Sequence, residues 1–129
     1  MTNFDKVKEF HRVFGLDLRD APAINADTDG DLIKLRLSLM DEELAEVREA
    51  IMEHDLLSMA KELADLLYVV YGTAAVFGIP IDDVFAEVHR SNMSKLGEDG
   101  KPVYREDGKV LKGPNYKEAD ISCVLKEAV

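Results

Sequence analysis

For 16 residues, from Leu66 to Ile81, the chain carries no charge, and nothing else in the sequence restricts its fold as strongly. A membrane-spanning helix needs about 20 mostly apolar residues. This stretch is shorter and includes Tyr68, Tyr71, Gly72, Thr73 and Pro80. The pattern from about Leu56 to Phe77 is helical, ended by Gly78 and Pro80. Its polar residues stop at Asp65, after which it is apolar nearly all round. Such a helix belongs in the middle of a soluble bundle or at a subunit interface.

The rest of the sequence is also helical. Phe4, Val7, Phe10 and Phe14 recur at helical spacing between Thr2 and Gly15, with Thr2 and Asp5 as a capping pair. Residues 16 to 30 read as a loop. The run Asp27-Thr28-Asp29-Gly30 lacks the glycine and glutamate positions of a calcium loop. From Asp31 to His54, Leu32, Leu35, Leu39, Leu44, Val47 and Ile51 form an apolar side. Asp82 and Asp83 open a shorter helix running to Gly97, with Val84, Phe85, Val88 and Met93 on its buried side. Glu98-Asp99-Gly100-Lys101 recurs as Glu106-Asp107-Gly108-Lys109, and the Asp-Gly turns predict a small hairpin. Glu118 to Val129 reads as a last short helix. The expected architecture is all-α, a bundle of four to five helices with a short C-terminal hairpin, in one domain spanning 1–129.

The chain has 129 residues and a net charge of −10. That charge argues against binding a nucleic-acid polymer, which needs clustered Lys and Arg. A single cysteine, Cys123, excludes an internal disulfide and suits a reducing compartment. The N-terminal residues mix charges where a signal peptide needs an apolar core. These features predict a cytoplasmic protein with no membrane partner.

The position of the acids carries the functional information. At about 100° per residue, Glu46 falls about 40° from Glu42 and about 60° from Glu43, so the three share one side of a helix. Glu62 and Asp65 form an i, i+3 pair on the next helix. An antiparallel pairing brings both acidic faces together. Like charges so placed destabilise a helix unless something neutralises them, and an all-oxygen site selects Mg²⁺ or Mn²⁺. A solvated Glu-rich stripe is the competing reading. No histidine follows a glutamate at the di-iron spacing. Zinc lacks its Cys and His ligands, and there is no glycine-rich phosphate loop. On the fourth helix, Asn92 and Lys95 lie at i, i+3, as donors to phosphate oxygens or as a surface patch.

The set Glu42-Glu43-x-x-Glu46, Glu62-x-x-Asp65 and Asn92-x-x-Lys95 resembles the all-α nucleoside triphosphate pyrophosphohydrolases. That superfamily includes MazG, the dimeric dUTPases and phosphoribosyl-ATP pyrophosphohydrolase. The segments KELADLLYVVYG and FAEVHRSNMSK are most similar to the small stand-alone MazG-like proteins, and the likeness extends over about residues 4 to 120. The resemblance implies a MazG-like fold and metal-dependent cleavage between the α- and β-phosphates, giving a nucleoside monophosphate and pyrophosphate. It makes Glu42, Glu43, Glu46, Glu62 and Asp65 the holders of Mg²⁺ or Mn²⁺, two or more ions per site, directly or through water. Glu43 then orients or deprotonates the attacking water, and Asn92 and Lys95 contact substrate. The segment around Lys109 and Lys112 resembles the tail of the stand-alone group and would close residues 97–116 over the site, with Lys109 or Lys112 reaching phosphates; a basic surface turn is the competing reading. Phe10 and His11 would border the base, with aromatic core packing as the competing reading for Phe10. A homodimer or homotetramer is implied, with dUTP or a purine such as dGTP as leading substrates. Phosphoribosyl-ATP hydrolysis and a non-catalytic, metal-dependent nucleotide-binding module are the alternatives.

Overall fold

A computed structural model describes residues 1–128; the expected end of the last helix at Val129 lies outside the described residues. The elements are α1 (Asn3–Val13), α2 (Gly30–Met52), α3 (Leu56–Val76), α4 (Ile81–Met93), strands β1 (Val103–Tyr104) and β2 (Val110–Leu111), and α5 (Ile121–Glu127). The expected all-α class with a small hairpin is what forms. The chain divides into two compact units, Met1–Ile79 and Pro80–Val129.

In the first unit, α1 begins in a full capping box. The Thr2 hydroxyl accepts from the Asp5 N–H, and the Asp5 carboxylate accepts from the Thr2 N–H. Helices α2 and α3 form an antiparallel hairpin joined by a tight turn. His54 takes a left-handed backbone (φ 56°) there, and Asp55 caps α3 by accepting from the Ser58 N–H at 3.1 Å. The loop after α1 lies along the end of α3, where Arg19 N–H donates to the Ala75 carbonyl and Ala23 N–H to that of Phe77. Asp29 does not serve a cation loop. Its buried carboxylate takes a two-point ion pair from Arg19, at 2.6 and 3.0 Å, and a third bond from the Asn25 N–H.

The core differs from the apolar side expected for α2. Its buried residues are Arg36, Val47 and Ala50, whereas Leu35, Leu44 and Ile51 are exposed and Leu32 and Leu39 half-buried. In α1, Phe4, Val7 and His11 are buried while Phe10 and Phe14 lie outside, the two rings 4.5 Å apart. Helical periodicity marks an apolar stripe but not which neighbour covers it.

In the second unit, Val103 pairs with Leu111 and Tyr104 with Val110 across a turn carrying Gly108 at φ 88°. The segment after the hairpin is tied to α4. Gly113 N–H donates to the Lys95 carbonyl, the Ser91 hydroxyl to the Lys117 carbonyl, and Lys117 N–H to the Ser94 hydroxyl. A Cβ on Gly113 would come within 2.3 Å of the Leu96 carbonyl oxygen, so only glycine fits there. α4 ends at Met93 rather than Gly97, and its Phe85, Val88 and Met93 are exposed rather than buried. Among the described residues no single helix is long and apolar enough to cross a membrane.

Candidate active site

The α2–α3 hairpin converges three of the five predicted carboxylates. One oxygen from each of Glu43, Glu62 and Asp65 lies within 4.8 Å of the other two. Glu46, more exposed, sits within hydrogen-bonding reach of Glu62. Two ionised carboxylates have no proton to share, so that bond exists only when the pair holds one. Glu42 stands apart on the solvent side, where its Oε1 accepts from the Ser38 hydroxyl at 3.5 Å.

The electrostatics follow from this crowding. Burial holds the Glu43 carboxyl above the usual carboxylate range, and the charges of Asp65, Glu62 and Glu42 push it the same way. Glu62 is raised by the hydrogen bond with Glu46, then by burial and by the charges of Glu46 and Asp65. Lys61 opposes both shifts. Its Nζ reaches Asp65 Oδ2 at 2.7 Å and Glu62 Oε1 at 3.6 Å. Lys61 was not among the residues singled out from sequence; the signal was its i, i+4 spacing to Asp65.

One ammonium does not satisfy this cluster. Glu43 Oε2 and Glu62 Oε2 are buried without a hydrogen-bond partner among the described residues. Buried, unpaired carboxylate oxygens are costly. A hard divalent cation answers that deficit with the all-oxygen donor set it prefers. The residues present therefore fit Mg²⁺ or Mn²⁺.

This geometry gives a pH signature. Glu43 and Glu62 bind protons more tightly folded than unfolded. Their contribution is complete below the ordinary glutamate value of 4.5 and is lost as pH rises through their raised folded values. Asp29 has the opposite sign: Arg19 depresses its pKa, so its contribution is present above 3.8 and lost as pH falls further. Metal-free protein is expected to lose stability from pH 5 to pH 8, and Glu43→Gln to flatten that slope. Thermal melts in chelator across that range check it; equal slopes would refute the coupling.

The remaining candidates are distributed as follows. His11 is buried, its Nδ1 2.8 Å from the Asp17 carbonyl, while Phe10 is partly exposed beside Tyr68. The other four belong to the second unit. Asn92 is exposed near the end of α4, and Lys95 follows it, half-buried. Lys109 lies in the hairpin turn, and Lys112 just after β2, its ammonium 4.7 Å from the Tyr116 ring centre.

The sequence matches the family model described as phosphoribosyl-ATP pyrophosphohydrolase over residues 7–92. The chain belongs to that family. That family lies within the MazG-like superfamily expected from the motifs. The segment shared with the phosphoribosyl-ATP pyrophosphohydrolase family contains all five acids and Asn92, while Lys95, Lys109 and Lys112 lie beyond it. An uncharacterized protein of Acanthamoeba polyphaga mimivirus is 33% identical over 112 residues, or 86% of this chain. The chain spans only 42% of that relative's length. A crystal structure of a candidate NTP pyrophosphohydrolase from Exiguobacterium sp. 255-15 superposes with a TM-score of 0.50 at 23% identity. The match covers 99% of this chain and 94% of that one, a likeness of fold.

Proposed function

We propose that this chain hydrolyses a nucleoside triphosphate between its α- and β-phosphates, releasing the nucleoside monophosphate and pyrophosphate, in a metal-dependent reaction that controls the nucleotide pool. The observation that carries this is the convergence of Glu43, Glu62 and Asp65 with two buried, unpartnered oxygens, in a member of a pyrophosphohydrolase family. Glu43, Glu62 and Asp65 would hold Mg²⁺ or Mn²⁺, two or more ions, with Glu46 beside Glu62 and Glu42, set apart from the trio, acting through metal-bound water. The bound metal would offset triphosphate charge and lower the pKa of water. Glu43, whose Oε2 has no hydrogen-bond partner among the described residues, orients or deprotonates the attacking water. Lys61 pairs with Asp65 and Glu62 and would share both carboxylates with a bound cation. Asn92 and Lys95 contact substrate, Lys109 and Lys112 offset phosphate charge from a covering segment 97–116, and His11 with Phe10 borders the base. All of this lies within a single domain, 1–129.

The leading substrates are dUTP and a purine such as dGTP. Phosphoribosyl-ATP is a second reading, favoured by the family model itself. Both break the same phosphoanhydride bond, so one assay separates them. Pyrophosphate release is measured from dUTP, dGTP, dCTP and phosphoribosyl-ATP, each with Mg²⁺, Mn²⁺ or chelator. Metal-dependent release supports the reading, and the preferred substrate chooses between its two forms. Metal-dependent nucleotide binding with no release would make the chain a binding module instead.

We further propose a homodimer or homotetramer in the cytoplasm. Leu37, Leu44 and Ile51 recur every seven residues on α2, and Leu63, Leu67 and Val70 at 4 and 3 on α3; all six are exposed. An apolar face of that extent suits a second copy of the same hairpin. Leu44→Lys with Leu67→Glu is expected to convert the oligomer to a 14.4 kDa species in light scattering. A wild-type chain already at that mass would overturn the proposal.

A further inference from the structure

Arg36 lies between two leucines on α2, yet it is 7% exposed. No carboxylate pairs with it among the described residues. Its Nε donates to the Thr73 hydroxyl at 3.1 Å and its Nη2 to the Val69 carbonyl at 2.9 Å. The Thr73 hydroxyl in turn donates to the same carbonyl at 2.9 Å. Gly72 makes room for this network. A Cβ there would stand 2.6 Å from Arg36 Nη2 and 3.0 Å from His11 Nε2. One buried polar node thus joins α2 and α3, with His11 of α1 beside Gly72.

Packing alone gives no reason for a charge here, since apolar residues fill such positions as well or better. What the guanidinium adds is direction. Leucine contacts between helices tolerate sliding by part of a turn, whereas two hydrogen bonds of fixed geometry do not. The register they select is the one that matters. Arg36 precedes Glu43 by seven residues, and Val69 follows Glu62 by seven. In an antiparallel pair those two contacts belong to a single alignment, two helical turns or about 10 Å apart.

We propose that Arg36 is a positioning residue for the acidic site: its guanidinium, seated against Gly72, sets the register of α2 on α3 that brings Glu43 to Glu62 and Asp65. The inference rests on the reading that those carboxylates hold a divalent cation. It assigns Arg36 no contact with that cation. Loss of an outer group that orients metal ligands weakens metal binding by about 10- to 100-fold.

The test measures Mn²⁺ binding to the full chain by calorimetry, with far-UV circular dichroism as the check on folding. Arg36→Met is expected to weaken Mn²⁺ by about 10-fold with helix content unchanged. Gly72→Ala keeps the arginine but displaces its flexible end, and should weaken Mn²⁺ to a similar degree. In the double variant Gly72→Ala should add nothing, because both changes act through one group. Arg36→Lys, which keeps the charge and one bond, should fall between. Should Arg36→Met fail to fold, Gly72→Ala and Arg36→Lys decide. Folded variants that bind Mn²⁺ as the wild type does overturn the positioning role while leaving the metal site intact. A wild-type chain that binds no Mn²⁺ overturns the metal reading, and this inference with it.

Discussion

Glu43→Gln is expected to lower pyrophosphate release by about 10²- to 10⁴-fold, the range for loss of a positioned general base. The amide keeps the size of the side chain but cannot accept a proton from water or carry charge toward a cation. The same change should stabilise the metal-free protein. It removes a charge that burial, Asp65, Glu62 and Glu42 all oppose. Metal should then raise the melting temperature of the variant less than that of the wild type, because binding stabilises by mass action only what it binds. Loss of activity, gain of apo stability and loss of metal response together would distinguish a functional carboxylate from an ordinary surface acid. Wild-type turnover in Glu43→Gln would remove Glu43 from the proposed role.

Gly78→Ala should be among the most damaging single changes to stability, though it lies outside the acidic cluster. Gly78 sits at φ 71°, where any other residue is strained. A Cβ there would stand 2.2 Å from the Ala21 carbonyl oxygen and 2.6 Å from its carbon. Neither can yield cheaply, because bonds from Arg19 N–H to Ala75 and from Ala23 N–H to Phe77 tie that loop down on both sides. The left-handed backbone alone costs about 1–2 kcal/mol, and detaching the loop brings the expected loss to roughly 2–4 kcal/mol. Urea titration with a two-state fit measures this. A loss under about 0.5 kcal/mol, the range of neutral surface changes, would show that the loop moves freely.

The contrast between those two positions reflects what a sequence makes visible. Glu43, Glu46, Glu62 and Asp65 could be grouped because helix periodicity is local and the two helices adjoin in the chain. Glu42 shares that periodicity and still stands outside the trio, since about 100° of rotation separates neighbouring residues. Arg36 was not legible at all. Flanked by Leu35 and Leu37, it reads as a charge breaking an apolar run, and its burial depends on a glycine 36 residues away. The leucines of α2 form an apolar side without revealing what covers it, because hydropathy does not distinguish a face covered by the same chain from one left exposed. Phe10 and His11 show the same ambiguity within α1, where the polar ring is buried and the apolar one is not.

All five candidate carboxylates fall in the 24 residues from Glu42 to Asp65, joined by one short turn. Bringing them together closes only a small loop, whose entropic cost is low, and contacts of such short sequence separation form early in folding. The hairpin therefore behaves as a cassette. Segments outside it can change in length without any change in the spacing of its acids.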